Sequence, residues 1–335
     1  MKGVVTFGET MMRLTTVNQY RFSQSSHFEI NFAGGESNVA LSLSKLKIPA
    51  SHVTVVPDND LGECVIEYYQ KFGLDTSFVK RSGKRLGTFY VEKGASIRAG
   101  KVIYDREDSS FATLNPREFN WDEIFNNAGW FHFTGITPAI SSNSAMASLE
   151  AVQVAFRLGI NISADVGYRN NLWKWGKNAT EVIPELTRYC SYIVCSVYDA
   201  GDVFGLFPEN NQDPFISICK QLMDLYPNLK AIITTERGQK SASHNSLIGK
   251  CWDGASLIET EIIEIPNMVD RIGGGDAFVA GFIYGKLNHF NNSMALNFAI
   301  AASALKHTID GDINLSTMEE IEAIMHGDTS GRLKR

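Results

Sequence analysis

The stretch Asp270–Phe282, DRIGGGDAFVAGF, sets three glycines directly ahead of an acidic residue and an apolar run. A loop can turn on fewer glycines, so the run points to something that needs close access to the backbone. The strand-like segment ETEIIEI comes before it, and a helix is expected to start near Asp276. The first turn of a helix carries unpaired N–H groups and a partial positive charge. Glycines there let an anion approach closely. Gly273, Gly274 and Gly275 therefore suit a phosphate or a developing negative charge, and Asp276 could take the proton of an attacking hydroxyl. An anion hole beside a general base is what phosphoryl transfer to an alcohol needs. The plainer alternative is that Asp276 caps the helix and the glycines form its entry turn. The stretch is not a G-x-x-x-x-G-K-[ST] loop. It is not G-x-G-x-x-G either, because Phe278 occupies the last glycine position.

A second glycine pair, Gly34 and Gly35 in NFAGGESNVALSLSKL, heads another helix, with Asn38 in its first turn. Two glycine-headed helices could face each other across a sheet edge, one holding the acceptor alcohol and the other the phosphates. Ligands of open α/β sheets lie beyond the carboxyl ends of the strands. The elements that would position them alternate along the chain. GVVTFGE, SHVTVV, WFHFTG, NISADVG, CSYIVCS and KAIITTE read as strands. Between them lie helical periods, as in GESNVALSLSKL, where Val39, Leu43 and Leu46 share a face. This order predicts an α/β fold, a mostly parallel sheet with helices on both faces. RLGTFYVEKGASIRAGKVIYDR (Arg85–Arg106) breaks the rhythm with two β-patterned pieces, and MRLTTV near the start looks similar. These pieces are expected to pair as a small separate sheet. The chain then reads as one domain over 1–335, with a lid from segments at about 11–30 and 85–110.

Composition narrows the partners. The 335 residues are 44% hydrophobic and 20% charged, ordinary for a globular chain. A net charge of −6 argues against a nucleic-acid surface. No apolar stretch reaches the roughly 18 residues of a membrane helix, and MKGVVTFGET reads as a first strand rather than a signal peptide. The five cysteines are odd in number and lack a C-x-x-C, as expected of reduced, mostly buried thiols in a cytoplasm. The seven histidines show no zinc-ligand spacing, and His132 in WFHFTG reads as a core or edge-strand residue.

GGESNVALSLSKL and DRIGGGDAFVAGF together resemble the two signatures of the PfkB (ribokinase-like) carbohydrate kinases, and the resemblance covers essentially the whole chain. FGETMMRLT, the Arg85–Arg106 segment, WFHFTGITPAIS, D-x-x-YR-x-x-LW at Asp165–Trp173, LKHTIDGDIN and SGRLKR resemble one branch, the 2-keto-3-deoxygluconate kinases. The resemblance implies a three-layer α/β/α sandwich with a small β lid. It implies transfer of the ATP γ-phosphate, with Mg²⁺, to the primary hydroxyl of 2-keto-3-deoxygluconate, giving 2-keto-3-deoxy-6-phosphogluconate. Asp276 matches the catalytic base, and Gly273 and Gly275 the anion hole. Gly34, Gly35 and Asn38 match hydroxyl-binding positions, and Tyr90, Tyr104, Arg106 and Arg169 positions that hold the sugar acid. Two arginines also suit a carboxylate on physical grounds, since Arg holds carboxylate bidentately; each could equally be a surface ion pair. Gly273–Gly275, Thr235 and Arg237 are the implied nucleotide residues.

The sequence departs from the pattern at several places. Gly274 stands where the signature has alanine, and Gly167 where the branch has asparagine. Ser196 and Asp199 align with the N-x-x-E motif that orders magnesium through water. ITTERG differs from the usual T-x-G pattern on the nucleotide side. Alternatives are a kinase of another sugar, such as fructose or ribose, or a non-catalytic sugar- or nucleotide-binding regulator. Retention of Asp276 argues against the regulator. Exposed lid edges lead us to expect a homo-oligomer.

Overall fold

A computed structural model describes residues 2–209 and 211–332. The strands are β1 (Gly3–Phe7), β2 (Met11–Thr16), β3 (Phe28–Ala33), β4 (Ala50–Val56), β5 (Val79–Arg81), β6 (Gly87–Glu92), β7 (Lys101–Asp105), β8 (Ala128–Thr134), β9 (Asn161–Asp165), β10 (Tyr192–Val194), β11 (Ala231–Gln239), β12 (Asn245–Trp252), β13 (Leu257–Glu259) and β14 (Ile263–Ile265). The α-helices are α1 (Gly35–Lys45), α2 (Asp60–Lys71), α3 (Trp121–Ile124), α4 (Thr137–Ile140), α5 (Ser142–Arg157), α6 (Ala179–Thr187), α7 (Val197–Asp199), α8 (Pro214–Leu225), α9 (Gly274–Leu287), α10 (Asn292–Lys306) and α11 (Met318–Met325).

The main sheet runs β13-β12-β11-β10-β9-β8-β1-β4-β5, and β14 also pairs with β12. From β11 to β5 every pairing is parallel. A parallel sheet covered on both faces needs strands that are apolar throughout, and all of β4 is buried. The pleat then deals residues to two cores. Val5 and Phe7 of β1, and Phe131 and Phe133 of β8, pack with Ala147 of α5, Val182 of α6 and Phe215 of α8. Val4 and Trp130 point the other way, towards Val39 of α1, Val65 of α2, Phe278 of α9 and Ala295 of α10. Three layers result, as the alternation predicts. His132 lies in central β8, not at an edge. It is buried against Ser163 Oγ at 2.9 Å, and burial pushes its pKa down to about 3. Cys64 is exposed and the other four cysteines are buried, all as free thiols.

Two elements differ from expectation. KAIITTE extends into a hairpin, with β12 antiparallel to β11; burial alternates along NSLIGKCW although its residue types do not. ETEIIEI is not one strand. It divides between β13 and β14, because Thr260 pins the chain to Gly249 through its backbone N–H and its hydroxyl, both at 3.0 Å.

A second sheet, β3-β2-β6-β7, is separate from the first. In it β2 pairs antiparallel with β3 and parallel with β6, and β6 pairs antiparallel with β7. Met11, Ala33, Phe89 and Val91 form its own small core, against which Ile272 of the glycine turn packs.

Candidate active site

The three glycines serve different ends. Gly273 precedes α9 with φ of 85°, and a Cβ there would lie 1.9 Å from the Asp312 carbonyl oxygen. A Cβ on Gly274 would lie 2.2 Å from His307 Cε1. The protein's own packing therefore demands the first two glycines. Gly275 is exposed, and a Cβ there would meet nothing within 4 Å. Open space thus lies in front of a helix terminus whose first N–H groups have no intrahelical partners. No side chain caps α9, which begins two residues before Asp276.

The capping alternative is thereby excluded. Asp276 sits inside the first turn and is bonded elsewhere: Asn38 Nδ2 of α1 donates to its Oδ2 at 2.7 Å. A Cβ on Gly35 would lie 3.6 Å from Asp276 Oδ1, so the two glycine-headed helices do meet at this carboxylate. Burial pushes Asp276 up to about 8, against the Asn38 hydrogen bond and with help from Asp165, Asp312 and Glu36. Asn38 Oδ1 is buried without a partner, an acceptor suited to a ligand hydroxyl.

Glu36 holds α1 in this position, and the sequence reading gave it no role. It is buried directly after the glycine pair, and its Oε1 accepts from Thr134 N at 3.0 Å, Thr134 Oγ1 at 2.7 Å and Thr137 Oγ1 at 2.5 Å. These bonds dock the start of α1 on the carboxyl end of β8. A Cβ on Gly34 would lie 2.1 Å from the Glu9 carbonyl oxygen, so that glycine admits the loop after β1.

At the carboxyl end of β9, Asp165 was quoted in a motif but given no task. Burial, and next the charge of Asp199, push it up to about 7. Ser196 and Asp199 come together as a capping box: Ser196 Oγ donates to Asp199 Oδ2 at 2.6 Å, and Oδ1 accepts from Tyr168 N at 3.1 Å. Two like charges whose repulsion raises a pKa are relieved by a divalent cation, so this pair fits Mg²⁺. Gly167 has φ of 37°. Asparagine is among the few other residues that adopt positive φ readily, so an asparagine could take this backbone conformation too. Arg169 is exposed; its guanidinium donates to Tyr168 O at 2.9 Å and lowers the pKa of Asp165.

The small sheet separates the two tyrosines. Tyr104 pairs with Phe89 across β6 and β7, and Tyr90 pairs with Ile103. Paired residues share a face and successive ones alternate, so Tyr90 and Tyr104 lie on opposite faces. They cannot both meet one ligand from the same side of the sheet. Tyr104 stacks on Phe89, on the face that looks at Ile272, and Tyr90 packs edge-on against Phe28. Arg106 is not a free cation. Its guanidinium lies 5.8 Å from the Tyr104 ring centroid and grips the buried carboxylate of Glu9, with Nε donating at 2.8 Å. Glu9 was another residue the sequence did not single out.

On the other side, Thr235 and Arg237 share a face of β11, being two residues apart. Burial pushes Arg237 down to about 10, with a contribution from Arg271, and its Nε is buried without a partner. Among the described residues no carboxylate pairs with Arg237 or Arg271, and two neighbouring cations beside a helix N-terminus suit an anion. Behind the turn, Arg13 of β2 is fully buried. It donates to Asp312 Oδ1 and to Asp270 Oδ2, each at 2.5 Å, and to Thr15 Oγ1 at 2.7 Å.

Residues 1–318 match the pfkB family of carbohydrate kinases. A 2-dehydro-3-deoxygalactonokinase of Haloferax volcanii is 30% identical over 328 residues, 98% of each chain. A 2-dehydro-3-deoxygluconokinase of Bacillus subtilis is 26% identical over 325 residues, 96% of this chain and 94% of its own. Among solved structures, a 2-dehydro-3-deoxygluconokinase from Thermotoga maritima has a TM-score of 0.93 at 35% identity, covering 98% of this chain and 100% of its own.

Proposed function

This chain belongs to the pfkB family of carbohydrate kinases, and from that premise we propose that it phosphorylates the primary hydroxyl of 2-keto-3-deoxygluconate at the expense of ATP. The observation that carries the chemistry is the Asn38–Asp276 pair, at 2.7 Å, beside the open space at Gly275. The acceptor hydroxyl lies between the two glycine-headed helices, and Asp276 takes its proton as the oxygen attacks. The N–H groups that open α9 and the cations of Arg237 and Arg271 stabilise the charge on the transferring phosphoryl group. Thr235 lies on the same side, along the nucleotide. Mg²⁺ bound through Asp165 and Asp199, directly or through water, would neutralise phosphate charge. Ser196 helps to fix Asp199.

Gly34, Gly35 and Asn38 line the sugar side. Arg169, Arg106 and Tyr104 hold the acid end, with Arg106 exchanging part of its contact with Glu9 for the substrate carboxylate. Tyr90 would have to reach the sugar from the other face of the lid. The names of the Bacillus and Thermotoga relatives support the gluconate acceptor. The Haloferax relative supports its galactonate epimer as a second reading.

Initial rates of ADP release with each sugar acid, with fructose, with ribose and without acceptor test the proposal. A sugar-acid-dependent rate is expected, and equal rates with neutral sugars would refute it. Ile30, Val102 and Ile103 are exposed on the lid, and covering them with a second copy gives the homo-oligomer we expect, which sedimentation checks. The free thiols are consistent with a cytoplasmic protein, and no helix of the described residues is long and apolar enough to cross a membrane.

A further inference from the structure

LKHTIDGDIN carries a histidine that none of the steps above uses. His307 is buried at the end of α10, and both of its ring nitrogens are engaged. Nδ1 lies 2.6 Å from the Ser303 carbonyl oxygen, and Nε2 lies 3.2 Å from Arg237 Nη2. A carbonyl only accepts and a guanidinium only donates. The two partners therefore require the same tautomer: a neutral ring, protonated on Nδ1, whose Nε2 lone pair receives the Arg237 N–H. Burial pushes the ring's pKa down to about 4, which keeps it neutral near pH 7. The ring lies close against the glycine turn, where a Cβ on Gly274 would meet Cε1 at 2.2 Å and Nε2 at 2.7 Å. This explains the sequence's own departure, glycine where the signature has alanine.

We propose that His307 is a positioning residue, which holds the Arg237 guanidinium at the phosphate end of the cleft, and that Gly274 lacks a side chain to make room for its ring. A guanidinium on a long, flexible stem loses rotamer entropy when it is fixed on a phosphate. A neutral acceptor that fixes it beforehand lowers that cost without cancelling its charge, as a carboxylate would. The inference rests on the reading of the glycine turn as the phosphate site.

Magnesium-ATP binding by titration calorimetry tests it separately from the identity of the sugar. The variants are Arg237→Ala, His307→Phe, which keeps the ring volume but loses the acceptor, and His307→Gln, which places an acceptor oxygen near the former Nε2. Losing a hydrogen bond to a charged group typically weakens binding about 10-fold or more. Arg237→Ala and His307→Phe should each weaken ATP binding by about that factor, with KM for the sugar acid unchanged and binding recovered in His307→Gln. If Arg237→Ala weakens ATP and His307→Phe does not, His307 positions nothing and the proposal falls. If Arg237→Ala is itself without effect, Arg237 does not meet the phosphates, and the proposal falls while the assignment of Asp276 stands. Gly274→Ala gives a second route should His307→Phe fold poorly. It should lower both Tm and ATP affinity, and adding His307→Ala should restore Tm but not affinity. Recovery of both in that double variant would reduce His307 to packing and overturn the proposal.

Discussion

Replacing Asp276 by asparagine separates its chemistry from its structural role. The carboxylate's pKa stands at about 8 because burial disfavours the charged form more than the Asn38 hydrogen bond favours it. One pH unit below a pKa only about a tenth of a group is ionised. With both substrates limiting, kcat/KM should therefore climb roughly ten-fold between pH 6 and 7 and level off above 8. Asp276→Asn should lower kcat by roughly 10²–10⁴ and abolish that slope. Stability should move in the opposite sense. An unfolded aspartate has a pKa of about 3.9, and here the folded value is higher. The group's contribution is then fully present below about pH 4 and is lost as pH rises through 8, on the order of a few kcal/mol. The asparagine carries no such loss and still offers an oxygen to Asn38. Its Tm should match that of the unmutated chain near pH 4 and exceed it at pH 8–9. A pH-independent kcat/KM between 6 and 8 in the unmutated chain, or near-normal turnover in the variant, would refute the assignment of Asp276 as a base poised by burial.

The two arginines should part company. Arg169 is exposed, so Arg169→Ala should leave Tm unchanged and lower kcat/KM for the sugar acid about 10–100-fold while sparing ATP binding. Arg106→Ala should do the same and also lower Tm. It leaves Glu9, whose side chain is only 2% exposed, with the Ser109 hydroxyl but no cation, and losing one partner of a buried pair costs about 3–5 kcal/mol; adding Glu9→Gln should recover much of the Tm. In magnesium titrations, Asp165→Asn should raise the concentration for half-maximal activity about 10–100-fold, and Ser196→Asn with Asp199→Glu should lower it. An unchanged titration in both would move the metal away from β9 and α7.

Residues whose roles follow from local pattern were legible in the sequence. The β–α alternation fixes the layers, and a glycine run before a helix marks a place where an anion could approach the backbone. Asn38 and Asp276, 238 residues apart, could be matched because each sits in such a helix start. The residues that hold those starts in place could not be read. Glu36, Glu9, Arg13 and His307 are polar side chains that each have a partner on another element, and nothing in their neighbours says whether they are buried. The opposite facing of Tyr90 and Tyr104 depends on register. A strand's side chains alternate regardless, but only the pairing of Phe89 with Tyr104 says which residues share a side. The residue types of β12 do not alternate; only its burial does, once it pairs with β11.

Arg13 constrains how the small sheet can move. It belongs to β2, at the centre of the lid, yet its three bonds reach Thr15 on its own strand and, across to the main body, Asp270 ahead of the glycine turn and Asp312 after α10. Lifting β2 would strand a buried cation and two buried carboxylates, several kcal/mol by the usual cost of breaking such a pair. The small sheet is therefore expected to behave as a cantilever rather than a door, held at its root and more compliant at its tip. Its tip carries β7, each residue of which is exposed, and Ile97, which is 97% exposed. Bending there would carry Tyr104, while Arg106 stays held by Glu9 and the glycine turn by Arg13. Amide hydrogen exchange should show β2 protected like the main sheet and β7 exchanging far faster; equal rates along both strands would mean that the sheet swings as one piece.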